Sequence, residues 1–429
     1  MNASTDVAVL AAVKAEEAAV AAAQIVEDVR QASAEPAWLA ATRRVAQIAA
    51  QHAAAVDRDA RFPVEAFEAM RRERLLSAMI PAALGGAGLT LAEVARICET
   101  LARACSSTAM VYAMHQSQVA CIVDQSNGVP WQREMIARLV DEQWLLASAT
   151  SEETIGGNMR TSACAVELVD GAFRIEKLAP TISYGEHADC ILVTARRSPE
   201  ASASDQVLIV APRDSLVLEK RGGWDSLGMR GTCSESFRLV AVGREEQILP
   251  VPFAQIADQS MLPVSHTLWA SVWIGITADA VNRAHQFFRA QARGKPGALP
   301  PSAGRLADAV AQLRMMQARL KVALDAASDA SSERIARDAC DFDTPLGASL
   351  SLASDMNTLK LSISSTALQV VQETLMICGM AGYKNNTDYS VGRHLRDLFS
   401  APLMISNDRI QLNTANLLLA QRTPATGRI

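Results

Sequence analysis

The segments CILVTA, Cys190–Ala195, and QVLIVA, Gln206–Ala211, decide the class of fold. Both are short runs of Val, Ile and Leu closed off by Ser, Pro and Asp, the pattern of strands between turns. Ala163–Leu168, Ala172–Ile175 and Leu216–Glu219 repeat that pattern around them. Outward from this region the character changes twice, near Leu146 and near Pro252. Upstream, Val7–Val29 is rich in Ala, Val and Glu, strong helix formers among them. Trp38–Val56 and Pro63–Glu73 repeat apolar residues at three and four. Ile80–Thr90 breaks the pattern with Pro81 and the cluster Gly85-Gly86-Ala87-Gly88, and Leu91–Leu101, Ser107–Val123 and Pro130–Val140 restore it. Downstream, Leu268–Arg289, Gly304–Ser331, Pro345–Cys378 and Ile405–Leu419 are long helical stretches, with a Pro-rich loop over Gly294–Gly304. Helices, then strands, then helices predict an α+β chain with segregated elements. The expected domains are an N-terminal helical domain over 1–145, a central β domain over 146–252 and a C-terminal helical bundle over 253–429.

Composition narrows the function classes. With 49% hydrophobic and 20% charged residues the chain reads as a folded soluble protein. Its net charge of −5 gives no basic surface for nucleic acid or an anionic membrane. No uncharged apolar run reaches membrane-spanning length. The Ala-rich start carries Lys14, Glu16 and Glu17 and reads as a helix rather than a signal peptide. The eight cysteines follow no zinc-type spacing and read as small buried hydrophobes in a reducing compartment. A cytoplasmic location is expected.

Six motifs in order give the chain a family resemblance. They are MIPAALGGAGL at Met79–Leu89; STAMVYAMH at Ser107–His115; Ser151-Glu152-Glu153-Thr154 with the turn Gly156-Gly157-Asn158; and Ile182-Ser183-Tyr184-Gly185 followed by Ala188-Asp189. WDSLGMRGTCS at Trp224–Ser234, and Cys378-Gly379-Met380-Ala381-Gly382-Tyr383 with Arg396-Asp397, complete the set. Together they resemble the acyl-CoA dehydrogenases over about Pro36 to Leu419. The resemblance implies that family's fold: a helical N-terminal domain, a central β domain and a C-terminal four-helix bundle. It also implies FAD as cofactor and a homotetramer or homodimer, with the last helices of one subunit completing the flavin site of another.

A flavin needs hydrogen-bond donors around its ring and cations or backbone N–H groups for its phosphates. By resemblance Ser151 stands at a flavin-contacting Thr, and Ile182 and Ser183 stand in the segment near N5. Thr181 replaces the aromatic beside the ring. Arg289 or Arg293 would meet the pyrophosphate, and Gly379 allows a close backbone approach. Met376 and Met380 replace a Gln and a Gly that the family supplies to the nucleotide, which leaves FMN or exchangeable flavin open.

Dehydrogenation of an acyl thioester removes a weakly acidic Cα proton, for which the family uses a Glu at one of two positions. Here those positions hold Ile405, nine residues after Arg396, and Ser265. Asp408, the nearest carboxylate, lies almost a helical turn away. His266, beside Ser265, and His115, at the end of STAMVYAMH, are the candidate bases, since a neutral imidazole takes a proton near pH 7. Three functions follow. The first is dehydrogenation of an acyl-CoA or acyl-carrier substrate with an unusual base, electrons passing to an electron-transfer flavoprotein. The second is a monooxygenase fed by a flavin reductase, with His115 and Ser183 serving the oxygen chemistry. The third is a non-catalytic member that binds acyl thioesters.

Overall fold

The computed structural model describes residues 35–125, 129–155, 158–294, 299–338 and 350–420. The helix expected over Val7–Val29 and the turn residues Gly156 and Gly157 lie outside them. The chain divides into two units, 1–41 and 42–429. The first contributes the opening of one helix. The second holds the sheets, the bundle and the cavity described below.

Five helices come first: α1 Ala37–Arg58, α2 Val64–Arg72, α3 Leu91–Ala104, α4 Ser106–Asp124 and α5 Pro130–Glu142. Helix α3 starts at a capping box, in which Thr90 Oγ1 accepts from Glu93 N at 3.3 Å and Glu93 Oε2 accepts from Thr90 N at 2.8 Å. Helix α4 is buried almost all round. Several of its polar residues turn to backbone: Tyr112, His115 and Gln116 donate to the carbonyls of Leu75 and Leu76.

Seven strands follow: β1 Leu146–Ala149, β2 Glu167–Val169, β3 Ala172–Ile182, β4 Cys190–Arg196, β5 Gln206–Pro212, β6 Leu216–Gly222 and β7 Glu235–Arg244. They form a sheet of order β1-β4-β5, whose β1–β4 pair is parallel, and an antiparallel sheet of order β2-β3-β7-β6. The two segments that opened the sequence reading become β4 and β5, fully paired from Cys190↔Pro212 to Arg196↔Gln206. The strand expected over Ala163–Leu168 is corrected: Ala165 makes one bridge to Arg196, and the paired strand begins only at Glu167. Strand β7, which the sequence pattern did not single out, buries the alternate residues Phe237, Leu239 and Ala241. Strand β3 buries Phe173, Ile175, Lys177 and Ala179. Lys177 is kept inside by Thr194, whose carbonyl and hydroxyl accept from Nζ at 2.7 and 2.9 Å, and by the Glu152 carboxylate at 3.7 Å.

The remaining helices are α6 Phe253–Ile256, α7 Leu262–Gly294, α8 Ala303–Asp338, α9 Leu350–Cys378, α10 Met380–Tyr383, α11 Gly392–Leu398 and α12 Asn407–Ala420. A π-turn over Ala257–Met261 joins α6 to α7, so the long helix begins before the expected Leu268. From Val264 to Ala278 helix α7 is buried on every side, as the central member of a bundle must be. At Gly275 a side chain would meet the Glu99 carbonyl at 2.5 Å, so glycine sets the approach of α3 and α7.

The segment Trp224–Ser234 is the joint between these parts. A Cβ on Gly228 would lie 2.1 Å from the Arg396 carbonyl, and one on Gly231 would lie 2.3 Å from Val56 Cγ1. Asp397 accepts from the Met229 N–H at 2.7 Å and so holds Met229 at a left-handed φ of 51°. Arg396 pairs with Asp57 on α1 and donates to the Leu227 carbonyl at 3.0 Å. One loop thus locks onto both helical regions through its backbone.

Candidate functional site

Two sets of groups stand where chemistry is possible. The first is a row of hydroxyls at the strand ends. The alternation of β3 fails between Ala179 and Ile182, where the register shifts and Pro180 and Thr181 are both exposed. This bulge sets the Thr181 hydroxyl 3.1 Å from Ser151 Oγ, which also donates to the Thr181 carbonyl at 2.9 Å. Two residues on, Ser183 Oγ meets Ser234 Oγ at 2.8 Å, and Ser234 meets Thr232 Oγ1 at 2.8 Å. Ile182, between Thr181 and Ser183, is buried in the sheet core and offers its backbone only.

The second is a cavity of about 350 Å³ between the β region and the helices. Met159, Phe253, Leu262, Ile405 and Ile410 give it apolar walls, and Asn158, Arg160, Gln206, His266, Asn357, Arg409 and Asn413 supply its polar groups. No Asp or Glu is among the lining residues. Ile405 lies on this wall with a left-handed φ of 48°. Its strained backbone is pinned by Lys360, which donates to the Ile405 carbonyl at 3.0 Å and to Asn407 Oδ1 at 2.6 Å. Burial pulls the Lys360 ammonium down to about 8.

His266 is buried on α7 and lines the cavity. Its Nδ1 lies 3.3 Å from the Met356 carbonyl. A carbonyl only accepts, so Nδ1 carries the proton and Nε2 keeps the lone pair. That Nε2 has no partner. Burial, followed by the Lys360 charge, holds the imidazole down to about 4, so it is neutral at ordinary pH. Ser265, which the resemblance puts at a base position, is buried and is not among the lining residues.

His115 is placed differently from the sequence expectation. Nε2 donates to the Leu76 carbonyl at 2.7 Å and Nδ1 accepts from the Leu146 N–H at 3.0 Å. Neither nitrogen remains for a substrate, and the residue bridges α4, the loop after α2 and the start of β1. Burial pushes its pKa down to about 4 as well.

The phosphate candidates are Arg289 and Arg293, near the end of α7, both exposed. Gly379 caps α10 at φ 54° with nothing within 4 Å of a would-be Cβ, so its backbone is open to a close approach. Met376 and Met380, which the resemblance puts at nucleotide positions, are 62% and 65% exposed and offer only thioethers. The groups present suit a flavin ring and phosphate: hydroxyls at Ser151, Thr181 and Ser183, guanidinium groups on α7 and an open glycine. The sequence reading did not single out Gln206, Asn357 or Asn413. They lie on three separate segments, β5, α9 and α12, and only the fold brings them together.

Residues 33–163 match the acyl-CoA dehydrogenase N-terminal domain and residues 256–415 the acyl-CoA dehydrogenase C-terminal domain. The chain belongs to the acyl-CoA dehydrogenase family, whose members are flavin-dependent oxidoreductases or monooxygenases. It is 28% identical over 359 residues to L-evernosamine nitrososynthase of Micromonospora sp., covering 81% of each chain. It is 26% identical over 355 residues to cyclohex-1-ene-1-carbonyl-CoA dehydrogenase of Syntrophus aciditrophicus, covering 81% of this chain and 80% of that one. Among solved structures, FMN-bound TdsC from Paenibacillus sp. A11-2 superposes with a TM-score of 0.76 at 21% identity, over 91% of this chain and 98% of that one. No helix among the described residues is long and apolar enough to cross a membrane. None of their His, Cys, Asp and Glu side chains cluster to hold a metal.

Proposed function

We propose that this protein is a flavin-dependent monooxygenase that takes reduced flavin from a separate reductase and oxygenates a small molecule in the cavity beside His266 and Ile405. The observation that carries this reading is the cavity wall. Ile405 stands at the family's base position and no carboxylate lines the space, so the usual means of taking a Cα proton is missing. Reduced flavin, when bound, supplies two electrons to molecular oxygen. One oxygen atom enters the substrate and the other leaves as water.

The chain's own part is binding, exclusion and proton handling. Ser151, Thr181 and Ser183 would meet the flavin ring with their hydroxyl groups, with Arg289 or Arg293 at its phosphate. FMN suits the thioether side chains of Met376 and Met380 better than FAD does, because FMN has no adenosine half to be held there. Ile405, Phe253 and Leu262 keep water from the substrate, and His266 Nε2 takes or shares a substrate proton. His115 acts as a positioning residue for β1. Subunit assembly as a homotetramer or homodimer would complete the flavin site.

A second reading keeps the family's dehydrogenation. Its support is His266 itself, a neutral lone pair on the same wall as Ile405. One experiment separates the two. Purified protein is given enzymatically reduced FMN, a panel of small cyclic compounds and ¹⁸O-labelled oxygen, and in parallel is loaded with oxidised flavin and mixed anaerobically with acyl-CoA thioesters. Monooxygenation gives ¹⁸O in a product only when reduced flavin and oxygen are both supplied. Anaerobic bleaching by a thioester, without labelled product, overturns it in favour of dehydrogenation. Protein that takes up no flavin overturns both.

A further inference from the structure

The hydroxyls at the strand ends form chains with a direction. A hydroxyl has one proton to give and a carbonyl only accepts, so the end of a chain fixes which way it runs. Thr232 Oγ1 lies 2.9 Å from the Met229 carbonyl, and the proton between them is that of Thr232. The same carbonyl takes the Thr232 N–H at 3.0 Å and Trp224 Nε1 at 3.1 Å, and is the sink of the network. Ser234 then donates across its 2.8 Å contact with Thr232, and Ser183 donates across its 2.8 Å contact with Ser234. Run the other way, the chain would leave the Thr232 and Met229 oxygens 2.9 Å apart with no proton between them. Thr232 and Ser234 are only 3% and 7% exposed, so protein rather than bulk water sets their partners. The Tyr184 N–H donates to the Thr232 and Cys233 carbonyls at 2.8 and 3.1 Å and clamps the two segments together.

The neighbouring pair behaves alike. Ser151 Oγ gives its proton to the Thr181 carbonyl at 2.9 Å, so Thr181 donates across the 3.1 Å contact between the two hydroxyls. Ser151, Thr181 and Ser183, which sequence alone casts as donors, therefore have their protons engaged within the protein. They keep lone pairs for a ligand.

A flavin ring responds to that difference. In oxidised flavin N5 is an acceptor, and on reduction it gains a proton and becomes a donor. We infer that this row of hydroxyls is set to accept and so selects reduced over oxidised flavin, with Ser234 and Thr232 as positioning residues that fix the polarity of Ser183. This rests on the flavin ring lying against Ser151, Thr181 and Ser183, as proposed above, with Ser183 in the segment that the resemblance puts near N5. Oxidised flavin sets lone pair against lone pair there, and reduced flavin brings the missing proton. Such a site takes up reduced flavin from a reductase and lets oxidised flavin go.

The test is equilibrium dialysis of the full chain with FMN under argon, in the oxidised and in the reduced state. Wild-type protein should hold reduced FMN about ten-fold more tightly, the worth of one hydrogen bond. That ratio raises the two-electron potential of bound FMN by about 30 mV over free FMN. Ser234→Ala frees the Ser183 proton, so it should tighten oxidised FMN, weaken reduced FMN and close the ratio. Thr232→Val should shift the ratio the same way, and Thr232→Ser, which keeps the hydroxyl, should hold the wild-type ratio. Damage to the fold alone weakens both states together, so equal weakening in Ser234→Ala overturns the inference. Wild-type protein that binds the two states equally, or binds neither, overturns it as well. Failure of the oxygenation reading shows separately, as absence of ¹⁸O product with the preference for reduced FMN intact.

Discussion

His115 and His266 carry the same side chain, the same burial and the same depressed pKa, yet they differ in what their second nitrogen does. At His115 both nitrogens close backbone gaps, at Leu76 and Leu146. At His266 one nitrogen is left over on a cavity wall. Sequence placed both beside the family's reacting centre, and nothing in the spacing distinguished them. The distinction depends on which carbonyls and N–H groups lie within 3 Å, which only the folded chain fixes. Replacing His115 with Leu strands the buried Leu146 N–H, while Gln116 still serves the Leu76 carbonyl. We expect a loss of about 2 kcal/mol in urea unfolding, with His115→Gln recovering part of it. An unchanged midpoint for His115→Leu would refute the bridging role.

At the scale of elements, the stretch WDSLGMRGTCS was the most legible part of the sequence, and the structure shows why. Its glycines and the Arg-Asp pair are steric requirements of a joint between elements. Gly228 has no room for a methyl group because the Arg396 carbonyl lies where it would stand. Gly228→Ala should therefore destabilise the protein by about 2 kcal/mol or more, within the usual range for overpacking, and lower the thermal midpoint. Wild-type stability in that variant would show that the joint yields. The bulge at Pro180-Thr181 was not legible, because a bulge arises from pairing with β7 and leaves no periodic mark of its own. Helices were found more accurately than strands for the same reason. A helix answers to its own residues, whereas β1 and β7 exist through partners far along the chain.

Over the whole molecule two of the buried histidines, His115 and His266, give a common pH response. Each holds its folded pKa near 4, below the ordinary histidine value, because burial disfavours the charge. The unfolded chain takes up protons as pH falls through about 6.5, while the folded chain refuses them until about 4, so stability drops across that window. The limit is about 3 kcal/mol per histidine. Asp279 responds at lower pH. Burial alone would raise it, but the His394 hydrogen bond and the Arg283 charge hold it down to about 2, so its contribution is lost only as pH falls from about 4 towards 2. Urea midpoints should therefore decline between pH 6.5 and 4.5, before the carboxylates titrate, and His115→Gln should flatten the slope. A midpoint that stays level over that interval would contradict the assignment of both histidines as neutral.

The joint at Trp224–Ser234 and the cavity share no residue. Gly228, Gly231, Asp397 and His115 hold the parts together, and none of them is among the lining residues. For protein engineering this means that assembly and selectivity are independent variables. A library randomised at Phe253, Leu262, Ile405 and Ile410 explores new ligands while the couplings that seat one region on another stay untouched. A library at the glycines would sample mostly collapse.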